Sequence, residues 1–133
     1  MIYCYQKHID SIRTVEAIFP TNAQNQRLGT ELATISDITY INIPDGAVLP
    51  DQPVEIDVAP AVITDDLLAA IKQASPHYRL INEQVAERIR QRYSVDDEIK
   101  LLRIAPSDET AAWNDYVEEC RAWGRGKKAE IGL

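Results

Sequence analysis

Cys4 and His8 stand four residues apart and are the closest pair of soft donors in the chain, so metal binding is the first chemistry to test. A helix would bring two such side chains to one face, but Ile2-Tyr3-Cys4-Tyr5 alternates in the manner of a strand, and no second pair of ligands stands at zinc spacing. A surface histidine beside a buried cysteine accounts for the pair better than a metal centre does. Cys120, the other cysteine, lies too far along the chain to form a recognisable disulfide framework, so both are expected as reduced thiols. His8 and His77 are the only histidines. The chain contains no nucleophile elbow, phosphate-binding loop or dinucleotide fingerprint, and its five glycines leave little material for one.

Asp96-Asp97-Glu98 and Glu118-Glu119 are the carboxylate clusters. A calcium loop needs alternating oxygen donors around a glycine turn, which neither provides. Charges at a helix start and on a solvated helix face explain them. Arg88, Arg90, Arg92 and Arg103 alternate with Glu83, Glu87 and Glu98 and read as a salt-bridged helix surface. Only Arg121, Arg125, Lys127 and Lys128 are locally basic, and they are candidates for contact with an acidic partner. Trp113, Tyr116 and Trp123 form an aromatic stripe at helical spacing. Such stripes are usually core, yet Trp and Arg are also the residues most enriched at interface hot spots. These seven residues are the candidate partner-binding set. No catalytic, cofactor or metal residues are expected.

The elements that position these groups fit within 133 residues, enough for one domain or two small subdomains. A composition of 45% hydrophobic and 26% charged residues is that of an ordinary soluble globular protein, and no run is long and apolar enough to span a membrane. The net charge of −7 argues against general nucleic-acid binding, which depends on a basic surface that releases counterions. Residues 1–61 hold −5 of that charge and few ions; residues 62–133 are densely charged and nearly balanced, as helix surfaces are. The first ten residues lack the basic and apolar regions of a secretory signal, so residence in the cytoplasm is expected.

The first half reads as β-rich. Ile2–Tyr5 is a strand. Ile9, Ile12, Val15 and Ile18 suit a helical face, but Thr14–Phe19 also suits a strand running into Pro20, and the strand is preferred. Residues 20–29 read as a loop. Thr34–Ile43, rich in β-branched and aromatic residues and free of Gly and Pro, predicts one long strand, with Asp37 the single exception to its apolar pattern. Pro44-Asp45-Gly46 predicts a turn. Four prolines between residues 44 and 60 exclude helix and confine any further strand to Val54–Val58.

From Thr64 the period becomes helical. Thr64, Ser75, Ser94 and Ser107 are N-cap candidates, and Pro76 sits where its missing N–H costs nothing. The helix between Ser75 and Tyr93 carries the stripe Tyr78, Ile81, Val85, Ile89, Tyr93, which must find cover. Asp97 follows Ser94 as in a capping box, and Val95, Ile99 and Leu102 are expected to face inward. Trp113, Tyr116, Val117, Cys120 and Trp123 mark the last helix, whose end Gly124 and Gly126 should weaken. The fold class expected is α+β: short antiparallel strands over residues 1–60, including the Pro-rich connection, then about four short helices packed together over residues 61–133.

The runs SPHYRLI (75–81), IRQRYSVDDEIKLLR (89–103) and YVEECRAWGRGKKAEIGL (116–133) resemble small proteins encoded among the tail genes of bacteriophages and prophages. The resemblance covers residues 74–133 and rests on the YSxDDE block and the aromatic, basic ending. It implies a non-enzymatic role through protein–protein contacts in tail or tail-fibre assembly or structure, in the host cytoplasm or within a virion. Phage tail components are the partners implied. Apart from the resemblance, a second copy of the chain is a further candidate partner, and neither nucleic acid nor membrane is expected. A small binding or regulatory module whose acidic half and basic tail meet different partners is the alternative. An enzyme whose site gathers His8, His77 and Asp97 is the third reading.

Overall fold

A computed structural model describes all 133 residues. The fold is α+β: a four-stranded antiparallel sheet near the N-terminus and four helices, the last of them long. The strands are β1 (Ile2–Tyr5), β2 (Thr30–Ile35), β3 (Ile38–Asn42) and β4 (Ala59–Pro60), in the spatial order β2-β3-β1-β4. The helices are α1 (Asp65–Ala74), α2 (Pro76–Arg92), α3 (Val95–Arg103) and α4 (Asp108–Glu130). No helix is long and apolar enough to cross a membrane.

The chain divides into two compact units: residues 1–78 with 130–133, and residues 79–129. The seam expected at residue 60 therefore differs from the observed one, which falls between Tyr78 and Arg79. The physical reason is α1. It packs against β2 and buries Ile71 completely, so it belongs with the sheet.

In the sheet unit, Tyr5, Ala17, Ile41 and Ile43 form the buried cluster, with Tyr3, Phe19, Leu49, Ile56 and Val58 packed against it. Alternation along β1 and β3 supplies this layer, because Tyr3 pairs with Ile41 and Tyr5 with Thr39. A bulge between Glu31 and Ala33 gives Leu32 no pairing partner in β3, and its side chain is fully buried.

The long strand predicted over Thr34–Ile43 is instead a hairpin. Ser36 and Asp37 both adopt positive φ (50° and 67°), the geometry of the tight turn whose twist matches that of flanking strands. Asp37, the exception in the apolar pattern, is thus a turn residue. The strand preferred at Thr14–Phe19 is reduced to a single antiparallel bridge between Thr14 and His8, closed by the Val15 N–H on the Lys7 carbonyl. Beyond it the donors go to side chains, the Ala17 amide to the Tyr5 hydroxyl (3.2 Å) and that of Ile18 to Gln52 Oε1 (2.7 Å). Burial raises the Tyr5 phenol pKa, a shift that the Ala17 N–H partly offsets.

Val54–Val58 is not a strand either. The Ile56 amide closes a turn onto the Pro53 carbonyl, Val54 stands 97% exposed, and the paired edge is Ala59–Pro60. Ile56 and Val58 still face the core, as alternation requires; no neighbouring strand gives them a ladder. The turn at Pro44-Asp45-Gly46 is as expected, with Ala47 N–H on the Pro44 carbonyl and Gly46 at φ +85°.

The helix starts follow their caps. Thr64 Oγ1 accepts from Leu67 N–H, Ser75 Oγ from Tyr78 N–H, and Ser94 and Asp97 bond reciprocally as a capping box. Ser107 and Thr110 form a similar reciprocal pair at the start of α4.

Candidate partner-binding face

The helical unit is built on the stripe of α2. Ile81 is 8% exposed, with Val85, Ile89 and Tyr93 half-buried. Gly124 of α4 lets the two helices approach closely: a Cβ placed there would stand 2.5 Å from Val85 Cγ2. Gly124 and Gly126 do not end α4, which continues to Glu130. Cys120 is buried on the same face of α4 and Val117 is half-buried there.

The three candidate aromatics are all half-buried on that face, and the Trp113 indole and the Tyr116 hydroxyl each have a hydrogen-bond partner. Trp113 Nε1–H donates to Glu98 Oε2 (2.9 Å), whose other oxygen takes the Arg90 guanidinium. Tyr116 O–H donates to the Arg88 carbonyl (2.6 Å), and its ring lies 5.8 Å from that of Tyr93. Desolvation raises the Tyr116 phenol pKa. The Arg90 contact holds the Glu98 carboxyl below its ordinary range.

Arginines of α2 cover the rings. The Arg88 guanidinium sits 3.8 Å from the Trp123 centroid, and Arg92 lies 4.9 Å from that of Tyr116. Lys127 approaches Trp123 at 5.9 Å. A polar groove of about 320 Å³, lined by Gln84, Glu87, Arg88, Gln91 and Trp123, opens on this face. The candidates therefore separate. Trp113, Tyr116, Trp123 and Lys127 join the helical unit's packed face, Arg125 pairs with Glu118, Lys128 is half-buried, and Arg121 is exposed.

The inward side of α3 is not the one its periodicity predicts. Val95, Ile99 and Leu102, expected inside, are 55%, 42% and 73% exposed, and Leu101 is the buried residue. The two bonds to Glu98, one turn before Leu101, hold that side of the helix inward. Leu101, an apolar residue off the predicted stripe, was the available signal.

His8 Nδ1 pairs with Thr14 Oγ1 at 3.1 Å, Asp97 is committed to the capping box, and His77 is exposed in the first turn of α2. No three His, Cys, Asp or Glu side chains converge in a way that could hold a metal ion. Cys4 is half-buried rather than buried, in a groove of about 420 Å³ lined also by Ile9, Ile56 and Asp57. No protein-family model, curated protein or solved structure matches this chain.

Proposed function

We propose that the chain is a non-enzymatic protein of a bacteriophage or prophage tail region, acting by protein–protein contact, with the arginine-covered aromatic face of α2 and α4 as its partner-binding surface. One observation carries this reading: Arg88 is stacked on half-exposed Trp123 at 3.8 Å beside an open polar groove. Arg and Trp dominate interface hot spots, and a guanidinium already held on a ring loses little conformational freedom when a partner covers it. The resemblance of residues 74–133 to tail-region proteins supplies the biological setting.

The full chain, tagged and expressed in phage-producing cells, should copurify with tail components. Arg88→Ala and Trp123→Ala should each reduce recovery about tenfold, on the scale of a hot-spot truncation. Circular dichroism checks that the helices persist. Failure to recover any tail component, or undiminished recovery with both variants, rejects the reading.

A further inference from the structure

Val95, Ile99 and Leu102 lie at i, i+4 and i+7 and form one continuous apolar stripe on α3, in solvent. The side of α3 that carries Leu101 already faces the helical unit, so the stripe is a second apolar side with nothing over it. What could cover it is indicated by the charges beside it. At 3.6 residues per turn, Asp96 and Arg103 fall on the same flank of the stripe, about 70–95° from its centre, at opposite ends of the helix. Both are exposed, and neither forms an ion pair within the chain. Glu98 occupies the other flank, where Arg90 and Trp113 hold it.

We infer that the α3 stripe is the self-association surface of this protein, pairing antiparallel with α3 of a second copy about a two-fold axis. In an antiparallel helix pair, like flanks meet. Asp96 of each copy then faces Arg103 of the other, closing two equivalent ion pairs across the apolar seam, and the helix dipoles oppose favourably. A parallel pair would set the Asp96 flank against the Glu98 flank, carboxylate against carboxylate. The charge pattern thus selects both the occupant and its direction. Nine residues make a short seam, so the dimer is of the weak, concentration-dependent kind. This inference goes beyond the tail reading and does not require it.

Sedimentation equilibrium on the full chain, from the low-micromolar to the millimolar range, tests it. The weight-average mass should rise from 15.0 kDa towards twice that value. Leu102→Asp, at a 73% exposed site, should abolish the rise with the circular dichroism spectrum retained. Asp96→Lys and Arg103→Glu should each weaken association, since each sets like charges face to face. An equimolar mixture of those two variants should restore it, as should both changes in one chain. A chain that stays monomeric at millimolar concentration overturns the proposal, as does undiminished association of Leu102→Asp. A mixture no stronger than its components overturns the antiparallel register. Loss of tail components from the Arg88 and Trp123 variants leaves this result untouched, so the two readings fail separately.

Discussion

Gly124 and Gly126 lie two residues apart in the same helix, and adding one methyl group to each should have opposite effects. Alanine is favoured over glycine in a helix by about 1 kcal/mol, chiefly through the backbone freedom that glycine loses. At Gly126 nothing lies within 4 Å of the added Cβ, so Gly126→Ala should stabilise by about 0.5–1 kcal/mol. At Gly124 the methyl group meets Val85, a β-branched side chain with little rotamer freedom, and overpacking of about 1–3 kcal/mol outweighs the helix gain. Urea unfolding followed by tryptophan fluorescence measures both, because Trp113 and Trp123 lie in the same unit as the two glycines. Acid reads the same unit by another route. The Ser94 amide and hydroxyl hold Asp97, and Arg90 holds Glu98, below their ordinary carboxylate values. A carboxyl whose folded pKa is depressed contributes stability that is complete above its unfolded pKa and is lost as pH falls through the folded one. Stability of the helical unit should therefore decline as pH drops below the ordinary carboxylate range. Glu98→Gln should make that decline shallower, and an unchanged acid profile in this variant would remove Glu98 from the account.

Among the elements, those whose signals are local were legible in the sequence, and those that depend on a neighbour were not. Thr64, Ser75 and Ser94 are read correctly as caps because a cap is decided by three or four adjacent residues. Ile2–Tyr5 is read correctly as a strand. The Thr34–Ile43 stretch fails because β-branched residues on both sides of Ser36-Asp37 mask a turn containing neither Gly nor Asn. The α3 face fails because periodicity reports that a stripe exists and not which side finds a partner. In the candidate site, the aromatic stripe of α4 was visible from spacing, whereas the Arg88–Trp123 stack requires two helices to meet and has no sequence signal. The hidden turn makes its own prediction. Ser36 and Asp37 both hold positive φ, which costs an ordinary residue of the order of 1 kcal/mol and costs glycine nothing. Ser36→Asn with Asp37→Gly supplies the pair that this turn favours and should raise the stability of the sheet unit by about 1 kcal/mol. Asp37→Val, β-branched at the same φ, should lower it. Thermal unfolding of both variants would decide, and a stabilised Asp37→Val would show that the turn is not as described.

At the scale of the molecule, the order of the chain and its division into units do not coincide. Residues 130–133 follow the long α4 in sequence but belong to the sheet unit. Ile131 and Leu133 are half-buried, and Gly132, at φ +82°, places its backbone against the side chain of buried Asn42 in β3. Removing the basic ending from residue 121 onward would therefore also uncover the sheet unit, and such a deletion is not a clean test of the basic residues alone. A smaller change separates the effects. Deleting residues 131–133 withdraws two partly covered apolar side chains and no basic residue, and should cost the sheet unit about 1–3 kcal/mol at the usual value for aliphatic burial. Gly132→Ala should act in the same direction without shortening the chain, since its Cβ would collide with the Asn42 amide and its φ suits glycine. Tryptophan fluorescence cannot report this, because both tryptophans lie in the helical unit. Hydrogen exchange at the amides of β1, β3 and the adjoining Ile43, whose N–H donates to the Met1 carbonyl, can. Faster exchange at Tyr3, Ile41 and Ile43 in both variants is the expected outcome, and unchanged protection there would mean that the last residues contribute no stability to the sheet.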